Sequence, residues 1–317
     1  MILVTGGAGF IGANYLYKLY QQDPTQKIVC LDALTYASNY NYIKPLVDLG
    51  FVVFEEHDIR LPSLIEWAYN KYDPEYIVHF AAESHVDNSI DDYYPFITTN
   101  IVGTAALLNA ARKLKHLKKF VHVSTDEVYG SLSLDDEQGF LETDPYETNS
   151  PYSASKAASD CFARAFYKTY DVPVVITNCS NNYGPNQHSE KLIPTIIRNA
   201  NNNRPVPIYG TGVNVRDWLY VEDHCDAINM VLEKGRPGER YNIGGGVEMN
   251  NVDLAKMILT QLGKSHNLIE YVKDRAGHDL RYSIDCTKIE RELGYKPRYT
   301  LEQGLEKTIE WYSNATK

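Results

Sequence analysis

Short β-branched runs alternate with longer helical patterns through the first half of the chain. The runs Ile2–Thr5, Lys27–Leu31, Phe51–Phe54, Tyr76–Ala81, Phe120–Ser124 and Val174–Asn178 predict strands. Several are apolar almost throughout, as in a parallel sheet whose two faces are both covered by helices. Between them, Ile11–Tyr20, Leu61–Tyr72, Tyr94–Leu114 and Tyr152–Tyr170 predict helices. Pro74 and Pro173 stand just before strands, where a proline ends a helix without breaking the sheet. The alternation predicts an α/β fold with a doubly wound parallel sheet.

After Asn178 the pattern changes. Asn181–Asn186 is turn-forming, Asn201-Asn202-Asn203 is a second break, and Val252–Leu262, Cys286–Leu293 and Leu301–Tyr312 predict further helices. The expected organisation is a Rossmann domain over 1–178, with segment 214–245 returning to it. A smaller mixed α/β lobe over 179–317 would then cover the open end of the sheet.

Composition narrows the partners. The 317 residues carry a formal charge of −10, which argues against nucleic acid, since phosphate backbones need a basic patch. No apolar run is long enough to span a membrane, and Met1-Ile2-Leu3-Val4-Thr5 lacks the basic lead-in of a signal peptide. Five scattered cysteines (Cys30, Cys161, Cys179, Cys225, Cys286) show neither disulfide nor zinc spacing. A cytoplasmic location with reduced thiols and no metal site is expected.

The run Gly6-Gly7-Ala8-Gly9-Phe10-Ile11-Gly12 follows the first strand and opens the first helix. Gly6, Gly9 and Gly12 form a spacing variant of the dinucleotide fingerprint, which brings backbone close to a pyrophosphate at a helix N-terminus. A glycine string alone is only a turn. Here Asp32 stands twenty residues beyond Gly12, placed to accept from ribose hydroxyls and to repel a 2′-phosphate. Ala33-Leu34-Thr35 follow it without an arginine, so the cofactor expected is NAD rather than NADP.

Tyr152 and Lys156 lie four residues apart on one helix face. A free tyrosine titrates near ~10, and a nearby ammonium would favour its phenolate and make it a better base. Asp126 and Glu127 are adjacent carboxylates after the fifth strand, where like-charge repulsion should raise one pKa and lower the other. That separation suits an acid and a base acting on one substrate.

Several motifs together resemble the nucleoside-diphosphate-glucose 4,6-dehydratases of the extended short-chain dehydrogenase/reductase group. They are Thr5–Gly12, Ala81–Asp87, Ser124–Gly130 (STDEVYG), Ser150–Lys156 (SPYSASK), Asn181–Pro185 (NNYGP), Arg216–Asp223 and Arg275–Asp285 (RAGHDLRYSID). The resemblance covers essentially the whole chain, and its most specific part is Thr125-Asp126-Glu127, since related 4-epimerases usually carry small hydroxyl residues there. It implies NAD-dependent conversion of dTDP-glucose to its 4-keto-6-deoxy derivative. Tyr152 would take the O4 proton, with Lys156 tuning it and Thr125 holding O4. Glu127 would remove the C5 proton and Asp126 would protonate the departing C6 hydroxyl. It further implies cofactor contacts from Phe10, Ile11, Asp58, Ile59, Ala81, Ala82 and Thr99. Substrate contacts are implied from Ser84, His85, Asn181, Lys191, Arg216, Asn251 and Arg281.

A homodimer packed through Tyr94–Leu114 and Tyr152–Tyr170 is also implied. Three alternatives stay open on the residues alone: a nucleotide-sugar 4-epimerase, a dehydratase of UDP- or CDP-glucose, and a non-catalytic NAD-binding protein.

Overall fold

The computed structural model describes residues 1–315. Its strands are β1 (Ile2–Thr5), β2 (Ile28–Asp32), β3 (Val52–Glu56), β4 (Tyr76–His79), β5 (Lys119–Thr125) and β6 (Val174–Cys179), then β7 (Asn181–Tyr183), β8 (Val206–Tyr209), β9 (Val215–Tyr220), β10 (Arg240–Ile243), β11 (Glu248–Asn250) and β12 (Ile269–Val272). Seven of them form one parallel sheet in the order β10-β6-β5-β4-β1-β2-β3. The chain winds outward from β1 to β3, then crosses back to β4 and winds the other way. The crevice at that reversal, beyond the carboxyl ends of β1 and β4, is where an open α/β sheet binds its ligand.

The two faces of the sheet are built from alternate residues of the same strands. Ile2, Val4, Ile28, Cys30, Val78, Val121 and Val175 pack on one side, under helices Phe10–Gln22 and Val221–Lys234. Leu3, Val29, Ile77, Phe120, Val174 and Ile176 pack on the other, under Pro62–Tyr72, Thr104–Ala111 and Pro151–Tyr170. Each fully buried aliphatic side chain contributes about 1.5–3 kcal/mol, so the strands are fixed before any polar group is considered.

The remaining strands lie outside this sheet: β11-β9-β7 form one small sheet and β12-β8 another. Ile193, Ile196, Trp218, Leu254 and Ile258 join them to helices Leu192–Asn201 and Asn251–Gln261 in a separate core. Of the segment 214–245, β10 and the Val221–Lys234 helix join the large sheet, but β9 does not. It pairs with β7 and β11 instead.

The expected helix Tyr94–Leu114 is not uniform. Tyr94–Phe96 leads into a wider π-helical turn, Ile97–Gly103, before Thr104–Ala111 resumes regular pitch. The turn is dense in β-branched residues, and the Thr98 hydroxyl donates to the carbonyls of Tyr94 and Pro95, 3.2 Å from each. Both features loosen regular helix, and a π-turn of this kind is common beside functional sites. No helix among the described residues is long and apolar enough to cross a membrane.

Candidate active site

One cleft runs along the carboxyl edge of the large sheet, and Gly6, Gly9, Phe10, Ile11 and Gly12 line its first end. Gly6 has φ +71°, and a Cβ there would come within 2.6 Å of the Ala81 backbone nitrogen, so only glycine fits. The Phe10–Gln22 helix starts at Gly9 with no side-chain cap and no acid in its first turn. An uncapped helix start of this length presents N–H groups and a positive dipole end to an anion. Asp32 closes this end. It is 7% exposed, and its carboxylate accepts from the Ala8 and Leu34 N–H groups at 2.9 Å each. Burial raises its pKa, while those two bonds oppose the rise.

Asp58, Ile59, Ala81, Ala82 and Thr99 line the same stretch, with the Asp58 carboxylate held by the Arg60 guanidinium. The glycine cradle, the uncapped helix and the strand-end carboxylate fit a dinucleotide.

The second end holds the reactive groups. β5 delivers Thr125, Asp126 and Glu127, and the Pro151–Tyr170 helix delivers Tyr152 and Lys156; all five line the cleft. That helix begins firmly, with Ser150 and Ser153 capping reciprocally and Pro151 in the first turn. Its buried stripe is polar: Tyr152, Ser153, Ser155, Lys156, Ser159 and Asp160, with Ala163. A helix core of that composition is costly for stability alone and marks a site.

Asp126 is 2% exposed, accepts a hydrogen bond from the Thr125 hydroxyl at 3.2 Å on one oxygen, and has no partner on the other. Burial, then the charges of Glu127 and Asp217, push it well above the usual carboxylate range. Glu127 is also raised by burial, but Arg275, Arg216 and Lys191 pull it back. The expected split of one pKa up and one down is therefore corrected: both rise, because both leave water, and Asp126 rises furthest.

Tyr152 departs from expectation too. Burial and the Glu127 charge push its phenol well above 10, opposed by a hydrogen bond with Thr125. Lys156 does not offset this. Its ammonium donates to the Val123 carbonyl at 2.8 Å, and its main charge partner is Asp160.

At the substrate end, Ser84, Asn181 and Lys191 line the cleft. Lys191 donates to the Ser84 carbonyl at 3.1 Å, and the Asn181 side-chain oxygen is buried with no partner. His85, Arg216, Asn251 and Arg281 are not among the lining residues. His85 faces Glu190 at 3.5 Å. Arg216 lies behind the acids, stacked on Tyr282 and donating to the Val215 and Asp279 carbonyls. Asn251 starts its helix with a buried, unpartnered side-chain oxygen. Arg281 pairs with Glu248 at 2.6 Å and donates to the Ser133 carbonyl at 3.3 Å.

A family model described as GDP-mannose 4,6 dehydratase matches residues 3–308. The chain is 49% identical to the dTDP-glucose 4,6-dehydratase of Haemophilus influenzae, over 98% of this chain and 97% of that protein. The chain belongs to the dTDP-glucose 4,6-dehydratase family.

Solved structures agree. The dTDP-glucose 4,6-dehydratase DesIV of Streptomyces venezuelae, with NAD bound, superposes with a TM-score of 0.94 at 47% identity, covering 99% of this chain and 97% of its own. The Bacillus anthracis dTDP-glucose 4,6-dehydratase, also with NAD, gives 0.92 at 49%, covering 99% and 96%. A UDP-glucose 4-epimerase of Thermotoga maritima gives 0.92 at only 28% identity, covering 100% and 99%. The fold is thus shared beyond the dehydratase family.

Sequence reasoning passed over Arg275 and His278. Both stand in the Arg275–Asp285 motif, from which Arg281 was taken instead. Arg275 pairs with Asp87 at 3.4 Å, and its charge reaches Glu127 and Lys191. His278 is held by Asp274 at 2.6 Å and feels Arg275 and Arg216. The motif was visible, but the partners of its two arginines, Asp87 for Arg275 and Glu248 for Arg281, are set by the packing of the loop.

The Asp126 environment makes a prediction. Its folded-state pKa lies above the unfolded value near ~3.9, so its contribution to stability is full below that value and is lost as pH rises through the folded one. Asp126→Asn removes this dependence. The melting-temperature difference between variant and wild type should move in the variant's favour as pH rises above about 4. A difference that stays constant with pH contradicts the assignment.

Proposed function

We propose that this chain is an NAD-dependent dehydratase that converts dTDP-glucose to dTDP-4-keto-6-deoxyglucose. The observation that carries the reading is the buried Asp126, its pKa raised by burial and by Glu127 beside it, in one cleft with Tyr152, Thr125 and a dinucleotide cradle. NAD, held by the Gly6–Gly12 turn and Asp32, supplies the hydride acceptor and donor and a positive ring charge. Tyr152 takes the proton from the sugar O4, which Thr125 holds by its hydroxyl. A ketone at C4 acidifies C5–H, and Glu127 removes that proton. Asp126 donates its proton to the C6 hydroxyl, so that water leaves. Glu127 then returns a proton to C5. Arg216, Arg275 and Lys191 bring the positive charge that a diphosphate needs to a chain that is net acidic. In this division of labour, residues 1–178 with the Val221–Ile243 return bind cofactor, and the lobe after Cys179 binds the sugar nucleotide.

A second copy of the chain is proposed to cover the exposed Tyr93, Tyr94, Val102, Phe162 and Tyr170, which lie on or beside the same two helices. Light scattering should give twice the chain mass, and a monomer at working concentration contradicts this.

The direct test incubates the purified protein separately with dTDP-, UDP- and CDP-glucose. Loss of one water from dTDP-glucose is expected. A product that keeps its C6 oxygen makes the chain an epimerase, and preference for another nucleotide corrects the substrate. Glu127→Gln should slow water loss by ~10²–10⁴-fold and stop solvent deuterium entering C5. Full turnover in that variant contradicts the role of Glu127.

A further inference from the structure

Segment 184–191 leaves the small sheet at β7 and ends at the Leu192–Asn201 helix of the second core. Between these points it touches three elements that surround the large sheet. Asn14, on the helix that starts at Gly9, donates through Nδ2 to the Pro185 carbonyl at 2.9 Å. In the loop after β2, the Tyr36 hydroxyl donates to Glu190 at 3.4 Å and accepts from Asn88 Nδ2 at 3.1 Å. The Tyr36 ring also stands edge-on to His188, with 5.7 Å between centroids. After β4, the Ser84 carbonyl accepts from Lys191 at 3.1 Å, and His85 lies 3.5 Å from Glu190. A further anchor comes from the Leu301–Ala315 helix, whose Tyr312 hydroxyl donates to the Gln187 carbonyl.

Gln187, His188, Glu190 and Lys191 line the same cleft as Gly9 and Asp32. The segment therefore crosses the cleft from the helix of the glycine cradle to the loops after β2 and β4. Apart from Pro185 it carries no apolar side chain. What holds it is a set of polar contacts, and such a segment opens at far less cost than a packed element.

We propose that segment 184–191 is a strap that retains NAD, with Tyr36 as its latch. The strap stays shut through turnover and comes off Tyr36 only for cofactor exchange. Tyr36 suits a latch because it is 49% exposed and is not among the residues lining the cleft. It acts on the cofactor through Glu190 and His188 alone. The need for retention rests on the dehydratase reading above. There the hydrogen taken from C4 must return to C6, so a cofactor lost in mid-cycle aborts the turnover.

The test loads the protein with radiolabelled NAD, dilutes it into excess unlabelled NAD without sugar nucleotide, and follows the bound label. Wild type, Tyr36→Ala and Asn14→Ala are compared, with melting temperature measured alongside. Tyr36→Ala removes two hydrogen bonds and a ring contact, and should release label at least ~10-fold faster than wild type. Its kcat for dTDP-glucose at saturating NAD should stay within about 2-fold of wild type. Asn14→Ala frees the other end of the strap and should also speed release. Should Tyr36→Ala not fold, Asn14→Ala carries the test. Release at the wild-type rate in the folded variants overturns the proposal. So does a fall in Tyr36→Ala kcat with unchanged release, which would assign the segment to the sugar site. Wild type that loses its label within the time of one turnover overturns retention itself. The exchange needs no turnover, so wild type that keeps its label yet removes no water from dTDP-glucose overturns the dehydratase reading alone.

Discussion

Everything at this site follows from placing ionisable groups out of water at the carboxyl edge of a parallel sheet. A buried charge costs several kcal/mol unless it is paired and hydrogen-bonded. The chain meets that constraint in three ways. Lys156 is held by the Val123 carbonyl, and Asp160 by four hydrogen-bond donors. Asp126 leaves one oxygen unpartnered, and its pKa rises. Glu127 is held nearer its ordinary range by three basic side chains from the second lobe and its loops. The lobe therefore does more than cover the cleft. It supplies the cations that oppose the rise at Glu127.

The same constraint explains the polar stripe of the Pro151–Tyr170 helix. An ordinary surface helix turns an apolar stripe toward the core. Here hydroxyls, an ammonium and a carboxylate face inward, and the apolar packing that holds the sheet comes instead from residues such as Leu107, Leu108 and Ala111 of the neighbouring helix. Stability and chemistry are thus divided between adjacent helices.

Much of this was legible in the sequence because it is local. A glycine turn between strand and helix, an acid at the end of the next strand, and a tyrosine four residues before a lysine need no distant contact to be recognised. The six predicted strands of the first half each have a counterpart within a few residues at either end, since runs buried on both faces carry a strong apolar signal. What was not legible depends on pairing across the fold. The turn to π-helix at Ile97–Gly103 and the separation of β9 from the large sheet are tertiary choices. So are the pairing of Arg281 with Glu248 and that of Arg275 with Asp87.

The central claim is that one cleft oxidises C4, eliminates water across C5 and C6, and returns the same hydrogen to C6. dTDP-glucose carrying deuterium at C4 tests this most directly, by locating the label in the product. The account predicts deuterium at C6 of the same molecule, with C5 hydrogen drawn from solvent through Glu127. Deuterium lost to solvent, or a product without label at C6, would contradict it.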